Sequence, residues 1–133
     1  MFKLNLLTPE KKMIVDLEIT EVVIPTHSGE IDILPGHVPM IANLGTGVLK
    51  YKAKDTGVVT QAVISSGYCE VNPEGVNILT EFIQIKSDIV EQTAQNQATV
   101  AENKLAKEVL TDEEFENTLT DAKRARSGLQ LLN

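Results

Sequence analysis

Residues 49–54 read Leu49-Lys50-Tyr51-Lys52-Ala53-Lys54, with a lysine at every second position. In an extended chain successive side chains point to opposite faces, so this spacing sends the lysines to one face and the apolar side chains to the other. One face in water and one face buried is typical of a strand in an antiparallel sheet. The stretch therefore predicts a half-buried antiparallel strand.

Similar short runs of alternating or β-branched residues recur on both sides of this strand, as far as residue 86. They are residues 2–7, 13–19, 21–25, 48–53, 58–65, 68–71, 76–80 and 82–86. Turn-forming residues separate them at Thr8-Pro9, Asp55-Thr56-Gly57, Ser66-Gly67 and Asn72-Pro73-Glu74-Gly75. A parallel pair needs a crossover of a dozen or more residues, and these gaps leave no room for one. We expect an antiparallel β-sandwich.

The residue types change near residue 87. All five prolines, seven of the eight glycines and four of the five aromatic residues precede residue 88. Glycine and proline mark turns between strands and aromatic residues favour strands, whereas the stretch after residue 87 carries helical signals. The chain is predicted to divide into a β-sandwich domain, residues 1–86, and a helical hairpin domain, residues 87–133.

Two helix start signals stand in the second part. Ser87-Asp88 is followed by Glu91, and Thr111 by Glu114, each a capping-box pattern. The predicted helices cover residues 88–109 and 112–132 and form an antiparallel hairpin. Their apolar stripes are Ala94, Ala98, Ala101, Leu105 and Val109 in the first helix, and Phe115, Leu119, Ala122, Ala125 or Arg126, Leu129 and Leu132 in the second. An alanine buried in place of a leucine forgoes roughly 1–2 kcal/mol, so we expect a weakly held hairpin that opens or docks elsewhere.

Composition and charge exclude several protein classes. The chain has 133 residues, about one domain, and a net charge of −7, which argues against binding nucleic acid. No apolar run approaches the roughly 18–20 residues that span a bilayer, and the N-terminus lacks a signal-peptide core. Cys69 is the single cysteine and is interpreted as an ordinary strand residue.

Enzymatic motifs are missing from the sequence. It contains no glycine-rich phosphate loop ending in Lys-Ser/Thr, no Gly-x-Ser-x-Gly elbow and no His-Glu-x-x-His helix. We therefore expect no catalytic residue, no metal and no cofactor.

The stretch from Gly29 to Pro39 is a loop of defined shape. Pro35 and Pro39 fix φ, and Gly29 and Gly36 take positive φ, so the chain turns sharply and presents His37 in one place. Such a loop suits a docking surface. An alternative is a metal site or acid–base pair formed by Glu30, Asp32 and His37, although one imidazole with two carboxylates is a weak pattern. His27 is interpreted as a solvated turn residue.

The same loop resembles the signature of the epsilon subunit of F-type ATP synthases, which carries a Gly-Glu-x-Gly-Ile-Leu-Pro-Gly-His-x-Pro pattern. Only Asp32, where the family has glycine, departs from it. Ser65-Ser66-Gly67-Tyr68-Cys69-Glu70-Val71 resembles the family's Ser-Gly-Gly-Phe-x-Glu-Val strand, and Val76-Asn77-Ile78-Leu79-Thr80 resembles the strand after it. The family also has a β-sandwich followed by a two-helix hairpin, so the resemblance extends over the whole chain.

The resemblance implies a non-catalytic rotor subunit of the central stalk. Its sandwich would bind the gamma subunit and rest on the membrane c-ring, coupling the two during proton-driven ATP synthesis. Glu30 and His37 match the loop that faces the ring, with Thr8 expected at the same end. Charge-assisted hydrogen bonds from such groups would fix register as well as affinity.

The resemblance also implies a regulatory role for the hairpin. In many members the helices extend along gamma toward the catalytic alpha and beta subunits and hinder ATP hydrolysis. Lys123, Arg124 and Arg126 would then face an acidic segment of beta. An alternative interpretation is that these cations simply complement the dipole at the helix C-terminus, and both roles are compatible.

Some relatives bind ATP in the folded hairpin through an Ile-Asp-x-x-Arg-Ala segment and arginines on the second helix. Here Val90 replaces the aspartate, Thr93 replaces the arginine and Gly128 replaces a basic residue, while Arg124 remains. We predict weak or absent ATP binding.

The predicted location is the periphery of the bacterial inner membrane on its cytoplasmic face, with the stromal face of the thylakoid as the alternative. Two other functions stay open. The chain would be a stand-alone ligand-sensing sandwich with a helical lid if it bound a small molecule but not gamma, and a small enzyme is the third alternative.

Overall fold

The computed structural model describes residues 2–36, 39–86 and 89–132. Over these residues the chain forms seven strands followed by two helices. The strands are β1 (Lys3–Leu7), β2 (Lys12–Thr26), β3 (Gly29–Ile33), β4 (Met40–Asn43), β5 (Gly47–Ala53), β6 (Val59–Asn72) and β7 (Gly75–Ile85), and the helices are α1 (Glu91–Lys107) and α2 (Asp112–Leu132).

The strands form one continuous sheet that folds over itself into two layers. Its order is β1-β7-β6-β5-β2-β3, with β4 paired to β6 and β1 also paired to β2. The first half of β2 pairs with β1 and its second half with β5 and β3. In the same way β6 pairs first with β5 and then with β4. The long strands therefore pass from one layer to the other, which confirms the predicted β-sandwich.

The pairing is antiparallel except between β1 and β7, which are parallel. The short gaps between runs argued against parallel pairing, but that argument covers only strands adjacent in sequence. β1 and β7 are separated by most of the domain, so no short connection constrains their direction.

The turn predicted at Ser66-Gly67 is wrong. Both residues lie inside β6 and have positive φ, 65° for Ser66 and 122° for Gly67. A β-carbon added to Gly67 would lie 1.9 Å from the carbonyl oxygen of Leu79. Ser66 and Gly67 lie where β6 leaves β5 and joins β4. Their positive φ values bend the strand there without ending it.

Other predicted boundaries also change. Residues 13–19 and 21–25 form one strand, β2, whose register shifts between Ile19 and Glu21. The runs 76–80 and 82–86 likewise merge into β7. The short strand β3 lies in the stretch that the sequence indicated as a loop, and β4 follows it at residues for which no strand was predicted.

The main core fills the space between the two layers. Its fully buried large side chains include Leu4, Leu6, Val22, Ile24, Ile33, Leu49, Ile64 and Ile78. Cys69 belongs to the same cluster and is a buried strand residue, as predicted. Burial raises the pKa of its thiol, because the charged thiolate is disfavoured away from water.

The two helices form the predicted antiparallel hairpin with a seam of small side chains. Ala94, Ala98 and Ala101 of α1 are buried, and so are Thr118, Ala122, Ala125, Gly128 and Leu131 of α2. The prediction for the ends of the stripe is wrong, because Val109 lies outside α1 and is fully exposed, while Phe115 is 44% exposed. The small side chains bring the helices close but bury little apolar area.

The helix starts differ in their capping. The amide of Glu114 donates a hydrogen bond of 3.1 Å to the hydroxyl of Thr111, which confirms that cap. Helix α1 begins at Glu91 rather than at residue 88, with Val90 at the N-cap position and no side-chain hydrogen bond to it within the described residues. The predicted cap at Ser87 and Asp88 lies outside the described residues.

The hairpin docks on the sandwich through its second helix. Leu131 packs against Val48 of β5 and Val63 of β6, with Phe82 and Ile89 at the margin of this cluster. The cluster is much smaller than the main core. Among the described residues no helix is both long and apolar enough to cross a membrane.

Candidate functional site

Glu30 lies on an exposed edge of the sandwich. It stands on β3, directly opposite Pro25, and β3 pairs only with β2 among the described strands. The turn before it is held by Thr26, whose hydroxyl donates a 2.6 Å hydrogen bond to the carbonyl of Gly29. The φ of +118° at Gly29 permits this tight entry into the strand. Glu30 is exposed, so its carboxylate is available to an outside partner.

Asp32 follows two residues later on the same face of β3, and it pairs within the sheet. Its carboxyl contacts that of Glu21 on the neighbouring strand β2. The hydrogen bond to Asp32 and the negative charge of Asp32 raise the pKa of Glu21, while Lys52 lowers it. Sequence reasoning missed Glu21, because its partner is defined by strand register and not by spacing along the chain.

His37 lies outside the described residues, and so does the alternative metal or acid–base site that needs it. Within residues 2–36, 39–86 and 89–132 no group of three or more His, Cys, Asp or Glu side chains is arranged to hold a metal. Glu30 and Asp32 are described and share a strand face, but they belong to no such metal-binding group.

Thr8 shapes the turn between β1 and β2. Its hydroxyl donates to the carbonyl of Lys11 and accepts from the amide of Lys11, both at 3.1 Å. The backbone amide of Thr8 also donates to that carbonyl, at 2.9 Å. No hydrogen bond or strand pairing of the described residues connects Thr8 with Glu30. Their placement on one docking surface stays a prediction.

The three cations predicted to face the catalytic subunit lie in three different surroundings. Arg124 stacks over the ring of Phe82, 4.5 Å from its centroid, and its Nε atom is buried with no hydrogen-bond partner in the described structure. Lys123 is exposed beside a cleft on the sandwich side of α2. Arg126 reaches across the hairpin to Glu102 on α1.

The Arg126–Glu102 ion pair is bidentate. Nε of Arg126 donates to Oε2 of Glu102 at 2.9 Å, and Nη2 donates to Oε1 at 2.5 Å. The hydrogen bond lowers the pKa of Glu102 and raises the pKa of Arg126, because both charged forms are favoured. Glu102 gave no signal in the sequence, since the two residues lie 24 positions apart.

A cleft of about 620 Å³ opens between the two helices and β7. Its lining is mixed, with apolar Ile89, Val90, Val100, Ala94, Ala101 and Ala125, polar Thr93, Asn96, Gln97 and Thr118, the cations Lys104 and Arg124, and the acid Asp121. Val90 and Thr93, the two departures from the nucleotide-binding segment, both line this cleft. Val90 presents an aliphatic group where the nucleotide-binding segment has a carboxylate, and Thr93 presents a hydroxyl where that segment has a guanidinium.

Residues 1–86 match the family model described as the β-sandwich domain of the ATP synthase delta/epsilon chain. An ATP synthase epsilon chain from Bdellovibrio bacteriovorus is 41% identical over 128 residues, covering 96% of this chain and 91% of that one. A chloroplastic ATP synthase epsilon chain from Sorghum bicolor is 35% identical over 133 residues, covering 98% and 95%. A chain in a cryo-EM structure of Euglena gracilis mitochondrial ATP synthase shares the fold, with a TM-score of 0.83 and 20% identity over 95% of this chain and 78% of that one.

Proposed function

The chain belongs to the ATP synthase epsilon chain family, and from this membership we propose that it is a non-catalytic rotor subunit of the central stalk. In this role it couples the gamma subunit to the c-ring during proton-driven ATP synthesis. The observation that carries the proposal is the match to the Bdellovibrio chain, which spans both the sandwich and the hairpin. The Euglena structure with the same fold is of an assembly of OSCP, F1 and c-ring.

An exposed apolar patch on the sandwich supports docking to gamma. Ile41 on β4 is 73% exposed and Tyr68 on β6 is 48% exposed. Asn43 stands opposite Tyr68, and Ile41 lies two residues from Asn43, so both apolar side chains share the outer face of one layer. Exposed apolar side chains of this size on a sheet face are typical of a protein interface.

The experiment replaces Ile41 by lysine and measures binding of the whole chain to the gamma subunit of the same source. A charge in an apolar interface weakens binding, and we expect a loss of about ten-fold or more. Val58→Lys is the matched control, because Val58 is 57% exposed near the β5–β6 turn. Equal binding by all three chains would contradict docking through this face, and no binding by any of them would contradict the rotor role.

On this proposal the ring-facing surface includes Glu30, His37 and Thr8. The exposure of Glu30 on an edge strand supports its part in such a contact. The protein would therefore stand at the membrane periphery through the complex, at the cytoplasmic face of the bacterial inner membrane or, as the alternative, at the stromal face of the thylakoid.

The hairpin is proposed to act as a brake on ATP hydrolysis. Opened from the sandwich, its helices would reach the alpha and beta subunits, with Lys123, Arg124 and Arg126 facing an acidic segment. The small docking cluster around Leu131 and the alanine-rich seam support opening, because little apolar area holds the hairpin closed.

The cleft between the helices and β7 favours one alternative function, a ligand-sensing module with a helical lid. Its volume of about 620 Å³ and its mixed lining are typical of a small-molecule site. Failure to bind gamma, together with stabilisation by a small molecule, would favour this function over the rotor role.

A further inference from the structure

We propose that Glu102 binds Arg126 in the closed hairpin and so keeps Arg126 from binding an acidic surface of the catalytic subunits. The inference rests on the proposed brake and names how that brake is restrained. It concerns Glu102, a residue on the helix opposite to the three cations.

The geometry makes Glu102 and an outside carboxylate compete for the same edge of Arg126. The Nε and Nη2 atoms form one of the two bidentate edges of the guanidinium, and Glu102 occupies this edge with both carboxylate oxygens. An outside carboxylate that bound the same edge would have to displace Glu102. The pairing exists only while α1 and α2 lie side by side, because the residues are 24 positions apart on different helices.

The strength of the pair suits a reversible device. The side chains are 55% and 44% exposed, so water and salt screen the interaction. The seam beside the pair consists of small side chains such as Ala98 and Ala122, each of which contributes little apolar burial. The ion pair therefore adds a weak, screened contact across a seam of small side chains.

Arg124 is withheld by a separate contact. It stacks on Phe82 of β7, so its release requires α2 to leave the sandwich, whereas release of Arg126 requires α1 and α2 to separate. Lys123 makes no ion pair among the described residues and is already exposed. The closed hairpin thus presents one of the three cations and holds the other two.

The test compares Glu102→Gln, Arg126→Gln and the double variant in the full chain. Spin labels at Gln95→Cys and Asn117→Cys, both exposed positions, measure the distance between the helices. Buried Cys69 remains, because its thiol is inaccessible to the label. Glu116→Gln, which removes a charge from an exposed glutamate outside any described ion pair, is the control.

At low salt we expect both single variants to raise the ratio of open to closed hairpin by roughly two- to five-fold, and the double variant by no more. High salt should erase the difference. In an ATPase assay of the catalytic complex the variants should diverge. Glu102→Gln should inhibit at roughly two- to five-fold lower concentration, because Arg126 is free, whereas Arg126→Gln should require a higher concentration.

An unchanged helix distance in Glu102→Gln would overturn the proposal. So would a shift of inhibition in the same direction by both single variants, which would mean that the pair only supports the hairpin. If the hairpin opens as expected but neither the native chain nor any variant inhibits hydrolysis, the proposed brake is contradicted. The restraint of the hairpin by the Glu102–Arg126 pair then still stands. These outcomes separate the two proposals.

Discussion

Gly67 is the residue that lets one strand serve both layers of the sandwich. With φ at +122° and the carbonyl of Leu79 in the space of a β-carbon, the position accepts only glycine without a shift of the backbone. The sequence motif around it contributed to the family resemblance, and the structure gives that motif a physical reason.

We predict that Gly67→Ala lowers the free energy of unfolding by about 2–4 kcal/mol, because the new methyl group collides with main-chain atoms of β7. Gly57→Ala is the control, since Gly57 also has positive φ but no atom within 4 Å of an added β-carbon. Its cost should be about 1 kcal/mol, that of the left-handed conformation alone. Urea denaturation measures both, and equal losses would contradict the collision.

The carboxyl group of Glu21 lies beside another carboxyl group, that of Asp32. Because contact with Asp32 raises its pKa in the folded state, the folded protein binds more protons than the unfolded one between the ordinary glutamate pKa and the raised value. The stabilising contribution is thus complete below the ordinary pKa and is lost as pH rises through the raised one.

We predict that Glu21→Gln stabilises the chain at pH 7, because the carboxamide still donates a hydrogen bond to Asp32 but carries no charge. The advantage over the native chain should shrink toward pH 4. Urea midpoints at both pH values measure it, with Glu81→Gln on β7 as the control. A lower midpoint for Glu21→Gln at pH 7 would contradict the unfavourable contact between the two carboxyl groups.

Residue-level features were predictable from the sequence where the physics is local. The Thr111 cap depends on a residue three positions away, and it was predicted correctly. The pairs Glu21–Asp32 and Glu102–Arg126 depend on strand register and helix packing, which no spacing in the chain encodes.

Whether a segment forms a strand or a helix was predicted better than where each strand begins and ends. Period-two runs became strands, and small residues at helical spacing became the seam of the hairpin. The error at Ser66-Gly67 arose because residues with positive φ form turns between strands and bends within them equally well. Strands β3 and β4 are short and lie beside prolines, so their pattern was too brief to stand out.

The cleft between the helices and β7 yields a prediction about ATP. Val90 and Thr93 line it in place of the aspartate and the arginine of the nucleotide-binding segment, so a triphosphate finds few charged partners there. Calorimetric titration with magnesium-free ATP should show no saturable binding below about 1 mM. The double variant Val90→Asp, Thr93→Arg should bind more tightly than the native chain, and a low-micromolar site in the native chain would refute the prediction.

At the scale of the whole molecule, the fold joins a well-filled sandwich to a lightly attached hairpin. The main core holds most of the large buried side chains, whereas Leu131 with Val48 and Val63 is the buried cluster that joins the two parts. This contrast supports a division of labour in which the sandwich docks and the hairpin regulates. The division at residues 86 and 87 remains a prediction for experiment.

The roles of the two domains are tested by comparing the full chain with a variant ending at Lys86, each mixed with gamma and the catalytic complex in an ATPase assay. We predict that both chains bind gamma and that only the full chain suppresses hydrolysis. Equal suppression by both chains would contradict a regulatory hairpin, and failure of the full chain to bind gamma would contradict the rotor role itself.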